Sequence, residues 1–135
     1  MKLSDDDYAH LLELRTSLRR FERWSERQAH DAGLTPAQHQ LLLAIRGHAD
    51  PNGPTVSDTA DYLLLRHHSV VELIDRADAA GLVARTRDKA DRRLVRLTLT
   101  KLGAKRLEAL SALHLQELER LALRLPAASR GLSKT

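Results

Sequence analysis

A mainly α-helical fold carrying one small β-hairpin is what the sequence predicts, and three observations predict it. Apolar residues fill 42% of the 135 positions but aromatics only 3%, with Leu, Ala and Arg dominant. That mixture favours Leu-packed helices over a β-sandwich. Along most of the chain apolar residues recur at three- and four-residue steps, the period of an amphipathic helix. Only from Leu82 to Leu99 does the pattern change, to two strand-like runs separated by a charged tip. At this length one folding unit is the expectation.

The first helix is predicted from Tyr8 to about His30, where Leu11, Leu14, Leu18 and Phe21 make an apolar stripe flanked by Trp24. Asp31-Ala32-Gly33 ends it. Leu34-Thr35-Pro36-Ala37-Gln38 then supplies an apolar staple, an N-cap, Pro at the first helical position and Gln at the third, so a second helix begins at Pro36. It turns Leu41, Leu42 and Ile45 inward and ends near Gly47, before a loop over Asp50-Pro51-Asn52-Gly53-Pro54. Thr55, with Asp58 three residues on, caps a third helix whose buried stripe is Val56, Ala60 and Leu63. After a tight turn near Leu64-Leu65, a fourth helix from about Arg66 to Ala80 packs Val70, Leu73, Ile74 and Ala77 inward and stops at Gly81. Strands over 82–87 and 94–99 follow, joined through Asp88 to Arg93. The fifth helix opens after Thr100 and carries Leu107, Leu110, Leu113, Leu118, Leu121 and Leu125, leaving a loose tail from Pro126.

Two short helices joined by a tight turn, followed by a basic hairpin, read as a winged helix-turn-helix, in which the second helix enters the DNA major groove. The exposed face of that helix carries Arg66, His67, His68 and Ser69, then Glu72 and Arg76 one and two turns on, all able to hydrogen-bond. The hairpin holds Arg85, Arg87, Lys89, Arg92, Arg93 and Arg96 within twelve residues, opposed only by Asp88 and Asp91. Such a ribbon fits a phosphate backbone and an A·T-rich minor groove. Asp91 reads as an orienter that pairs with Arg93 or Arg87, because a carboxylate beside phosphates is unfavourable alone. The bland alternatives are a solvated helix face and a hairpin charged to protect its edge.

Whole-chain charge is less telling than its location. Lys and Arg number 22, 17 of them Arg, against 18 Asp and Glu, for a net charge of +4. The absence of Cys excludes disulfides, thiolate metal sites and thiol catalysis. His67 and His68 are neighbours pointing about 100° apart on a helix, poor geometry for shared ligation, so neither a metal nor a cofactor is expected. No phosphate-binding Gly loop, nucleophile elbow or paired carboxylates suggest an enzyme. Without a signal-peptide core or an apolar run near the roughly 18 to 20 residues that span a bilayer, a soluble cytoplasmic protein without membrane contact is expected.

In order and spacing the chain resembles the MarR-type (multiple antibiotic resistance) transcriptional regulators over about Leu34 to Leu107. The resemblance rests on Leu34-Thr35-Pro36-Ala37-Gln38, on Val56-Ser57-Asp58-Thr59-Ala60-Asp61-Tyr62-Leu63, and on Ile74-Asp75-Arg76 with Ala80-Gly81-Leu82-Val83. Above all it rests on Asp88-Lys89-Ala90-Asp91-Arg92-Arg93 ending in Leu99-Thr100-Lys101-Leu102-Gly103. It implies a winged helix-turn-helix over 34–100, flanked by dimerisation helices over 1–33 and 101–135. It further implies a homodimeric repressor on a pseudo-palindromic operator in double-stranded DNA, often released by a small aromatic or phenolic ligand. Positions matching His67, His68, Ser69 and Glu72 face the major groove in that family, and those matching Arg87, Asp91, Arg92 and Arg93 form the wing. Effectors there lie between the dimer helices and the winged lobe, which points to Arg15, Trp24, His39 or His10 as lining. This sequence departs from the pattern at Leu64, where Gly commonly turns, at Arg66, where an Asp-like cap is common, and at Glu72, frequently Arg or polar.

Independently of that resemblance, the first and last helices carry more Leu than a three-helix core can cover. Paired across a two-fold axis, that surface is buried. The competing readings are a winged module that binds a protein partner, and a non-specific nucleic-acid binder showing a salt slope without sequence preference.

Overall fold

A computed structural model describes the backbone of residues 1–133 and the side chains of residues 1–123. Its elements are α1 (Asp5–Asp31), α2 (Pro36–Gly47), α3 (Val56–Leu63), α4 (His67–Ala79), β1 (Val83–Arg87), β2 (Val95–Leu99) and α5 (Lys101–Ser133). Among the described residues, five helices and one antiparallel hairpin stand in the predicted order. The chain divides into two compact units: a central unit, Ala29–Ala109, and a terminal unit, Met1–Gln28 with the chain from Leu110 onward. The central unit is longer at both ends than the predicted 34–100. Buried Ala29, in the last turns of α1, and buried Gly103 and Leu107, in the first turns of α5, belong to it.

In the central unit local signals set the helices. Thr35 and Gln38 cap α2 reciprocally, each side chain taking the other's backbone N–H at 3.1 Å. Thr55 and Asp58 do the same for α3, at 3.1 and 3.0 Å. Leu41, Leu42 and Ile45 of α2 meet Val70, Leu73, Ile74 and Ala77 of α4 in a core that also takes Leu82, Val83 and Leu97. In α3 the expected stripe of Val56, Ala60 and Leu63 is only half-buried, and the fully buried residue is Thr59. Its hydroxyl donates to the Thr55 carbonyl at 2.8 Å, which meets the condition for burying a polar group.

Leu64 ends α3 in the left-handed conformation, with φ 55° and ψ 41°, the one non-glycine residue with positive φ among the described residues. Its side chain is 90% exposed, so no burial offsets the backbone strain. Leu64→Gly should therefore raise stability by about 0.5–1 kcal/mol, strain relief outweighing the greater freedom of Gly in the unfolded chain. Urea denaturation checks it, and a destabilised variant would show that the Leu side chain has a packing role.

The hairpin pairs Val83 with Leu99 through to Arg87 with Val95. Its other edge is not open. The Leu97 N–H donates to the Pro54 carbonyl at 2.9 Å, and Thr55 forms an isolated antiparallel bridge with Arg96, so the segment expected to be plain loop is bonded to that edge. That approach requires Gly53, since a Cβ there would lie 1.9 Å from the Leu97 carbonyl oxygen.

In the terminal unit, Ser4 and Asp7 cap α1, a pairing the sequence reading misses: each backbone N–H donates to the other's side chain, at 2.9 and 3.3 Å. Phe21, Trp24 and His114 form a ring cluster with centroids 4.8–6.0 Å apart. The His114 Nδ1 donates to the Leu110 carbonyl at 2.8 Å, leaving Nε2 to accept from the Ser25 hydroxyl at 2.6 Å. Leu11, Leu18, Leu113 and Leu118, expected in a buried seam, are each 40–43% exposed in the single chain. The loose tail expected from Pro126 is not found, since α5 remains helical through Ser133. One proline removes a single backbone donor, and the Ala127-Ala128 pair after it favours helix. Leu125 lies outside the described side chains.

Candidate nucleic-acid interface

α4 presents the predicted polar face. His67, His68, Glu72 and Arg76 are exposed and Ser69 is half-buried. His68, Glu72 and Arg76, four residues apart, rotate only about 40° per step and so share one side, away from Val70, Leu73, Ile74 and Ala77. Arg66 occupies the N-cap with extended backbone and no side-chain cap. The first amides of α4 thus carry no capping side chain, and the helix dipole there adds to the charge of Arg66.

The wing tip is built by its two carboxylates. Asp88 Oδ2 accepts the N–H groups of Ala90 and Asp91 at 3.0 and 2.8 Å. Asp91 takes three bonds from Arg93, from the backbone N–H, Nε and a terminal guanidinium nitrogen, each at 3.1 Å. The expected orienting pair is therefore Asp91 with Arg93, whose side chain nevertheless remains 90% exposed. Arg87 braces the tip by donating to the Arg92 carbonyl at 2.9 Å. Exposed Lys89, Arg92 and Arg93 complete the surface.

Two of the six hairpin cations also pair outside the hairpin. Arg85, expected to face DNA, shares the face of buried Leu97 and pairs with Asp75 and Asp78 of α4, the latter at 3.6 Å. Arg96 is turned to Asp88 and the segment before α3. The sequence reading misses this last group, because its partners Asp50 and Gly53 lie far away in the chain. Between α4, the start of α3 and the hairpin lies a cleft of about 480 Å³. Val71, Ile74 and Val95 make its apolar walls, and His67, Arg85 and Arg87 line it with polar groups.

These contacts hold three carboxyls below their ordinary value near 3.8: Asp88 through the Asp91 amide and then Arg96, Asp91 through the Arg93 side chain, and Asp58 through the Thr55 amide. A depressed folded-state pKa contributes stability that is fully present above the ordinary value and lost as pH falls through the lowered one. Stability from this source should thus be constant from pH 8 to pH 5 and decline only below about pH 3.8. Thermal melts against pH check this, with a shallower acid decline expected for Asp88→Asn. An equally steep decline in that variant would show that Asp88 has no part in it.

Of the residues considered for a ligand, Arg15, Trp24 and His10 belong to the terminal unit and His39 to the central one. Arg15 and Trp24, nine positions apart on α1, point to opposite sides, with Arg15 exposed and Trp24 in the ring cluster. His10 is half-buried and bonded to the Asp6 carbonyl at 2.7 Å. His39 is buried on α2 in the central unit. Among the described residues no group of three or more His, Cys, Asp or Glu is placed to hold a metal ion. No helix among them is long and apolar enough to cross a membrane.

The family model described as MarR family matches residues 32–94, the segment that carries α2, α3, α4 and the wing tip. Over 71 residues, 53% of this chain, the sequence is 38% identical to the transcriptional activatory protein BadR of Rhodopseudomonas palustris, covering 41% of that protein. It is 34% identical over 71 residues, again 53% of this chain, to the HTH-type transcriptional repressor MdtR of Bacillus subtilis, covering 44% of it. The chain thus spans less than half the length of these curated relatives. Among solved structures, the S. aureus MepR–DNA complex superposes with a TM-score of 0.69 at 21% identity, over 82% of this chain and 77% of that one, a likeness of fold. Across residues 32–94 the chain is thus similar to the MarR family of transcriptional regulators, and over most of its length it shares the fold of the MepR–DNA complex.

Proposed function

We propose that the chain acts as a homodimeric, sequence-specific DNA-binding repressor, relieved by a small aromatic ligand. The observation that carries the DNA reading is that one compact unit presents both an exposed polar face at the start of α4 and exposed Arg92 and Arg93 on a tip braced by Asp88 and Asp91. His68 and Glu72 suit base edges, while Arg92 and Arg93 suit phosphate and the minor groove. The MepR complex, similar in fold, contains DNA. Dimerisation is supported by the half-exposed Leu11, Leu18, Leu113 and Leu118 of the terminal unit, apolar surface that a second copy would cover. BadR is named an activatory protein and MdtR a repressor, so the shared segment does not set the sign of regulation; the repressor assignment follows MdtR. For relief, an aromatic anion in the cleft would occupy His67 and Arg87, side chains beside the DNA-facing surface.

The test is selection of bound duplexes from a random library by the purified protein near physiological salt, with sedimentation to count copies. The expected result is a dimer enriching an inverted repeat with half-site centres about 10 base pairs apart. A monomer with no enriched sequence would favour non-specific binding or a protein-interaction role.

A further inference from the structure

Arg96 sits on β2 and by composition is one more cation of a DNA-binding ribbon. Its surroundings say otherwise. The side chain is only 18% exposed, and its partner Asp88 only 14%. Its Nε donates to Asp88 Oδ1 at 3.0 Å, and a terminal nitrogen donates to the Gly53 carbonyl at 3.0 Å and lies 3.7 Å from Asp50 Oδ2. The other Asp88 oxygen holds the Ala90 and Asp91 amides, and Asp91 in turn holds Arg93. A continuous chain of charge-assisted bonds therefore runs from the segment before α3, through one guanidinium, to the wing tip.

We infer that Arg96 is a positioning residue for DNA recognition: it clamps the wing to the helix-turn-helix and holds Arg92 and Arg93 ready, without itself meeting the nucleic acid. This rests on the DNA-binding reading above. A planar fork can serve Asp88 and the Gly53 carbonyl at once, whereas a lysine ammonium is a point charge on a flexible stem. Loss of the clamp leaves the tip to be ordered at the moment of binding, a cost expected to weaken affinity roughly tenfold.

Salt dependence separates this role from direct contact, because each phosphate contact adds about 0.9 to the slope of log affinity against log salt. Affinity for the duplex enriched by the library selection is measured from 50 to 300 mM salt for the wild type, Arg92→Ala, Arg96→Ala and Arg96→Lys. Arg92→Ala should lower the slope by about one. Arg96→Ala and Arg96→Lys should both lose about tenfold in affinity at an unchanged slope. Full affinity in Arg96→Lys, or a slope reduced by about one in Arg96→Ala, overturns the inference. Should the Ala variant fail to fold, the Lys variant decides.

Amide exchange of the free protein supplies a readout without DNA. The Ala90 and Asp91 amides should exchange at least tenfold faster in both Arg96 variants, with those of α4 unchanged. Unchanged exchange at the tip overturns the clamp, whereas a wild-type protein that binds no duplex overturns the DNA reading instead.

Discussion

Replacing Gly53 with Ala is expected to destabilise the central unit by more than about 3 kcal/mol, a large share of the stability of an ordinary domain. The added Cβ would lie 1.9 Å from the Leu97 carbonyl oxygen and 3.0 Å from its carbon, on a backbone with φ +90°. Neither side can withdraw cheaply. Leu97 is fully buried and its N–H is bonded to Pro54, the next residue along from Gly53, while the Gly53 carbonyl holds Arg96. Gly81→Ala is the comparator. Gly81 has φ +74°, but an added Cβ would meet nothing within 4 Å, so the change should cost only the left-handed penalty of about 1–2 kcal/mol. Urea denaturation of both variants checks the prediction. Equal losses would mean that the segment before α3 moves aside freely.

Arg92→Ala combined with Arg93→Ala is expected to weaken operator binding roughly thirtyfold at physiological salt and to lower the salt slope by about two, with base preference preserved. Both side chains project from a tip whose backbone is fixed by Asp88, so their removal takes away charge without disturbing α4. His68→Ala and Glu72→Ala should behave in the opposite way, shifting base preference at one position each by about 1–3 kcal/mol with little change of slope. Salt titrations with the selected duplex and single-position variants of it distinguish the two groups. Uniform losses across all four, at unchanged preference, would contradict this division.

What can be read from the sequence is what depends on near neighbours. Thr35 with Gln38 and Thr55 with Asp58 announce helix starts because the bonds span three residues. The buried face of α4 follows from its period, and the Asp91–Arg93 pair from residues two apart. Contacts distant in sequence are not legible. Spacing alone counts Arg85 and Arg96 with the ribbon's cations, since nothing in it shows that Asp75 and Asp78 meet one and Asp50 and Gly53 the other. For the same reason the segment over 50–54 reads as a plain turn. Thr59 escapes notice because its hydroxyl is satisfied by its own helix, which lets a polar residue occupy a core position. Period alone groups Leu11, Leu18, Leu113 and Leu118 as a buried seam, yet in one chain they remain half-open.

The bridge from the segment before α3 to β2 also bears on how the molecule folds. A two-stranded hairpin alone is at best marginally stable in water, although its local pairing makes it quick to form. Here the missing edge and the partner of Arg96 come from 43 residues earlier in the chain. Closing that loop requires α3 and α4, which lie between, to be compact already, so the entropy of closure falls on a chain they have shortened. The hairpin should therefore flicker early and become permanent only in the same cooperative step as the helices, so that no stable folding intermediate consists of the wing by itself.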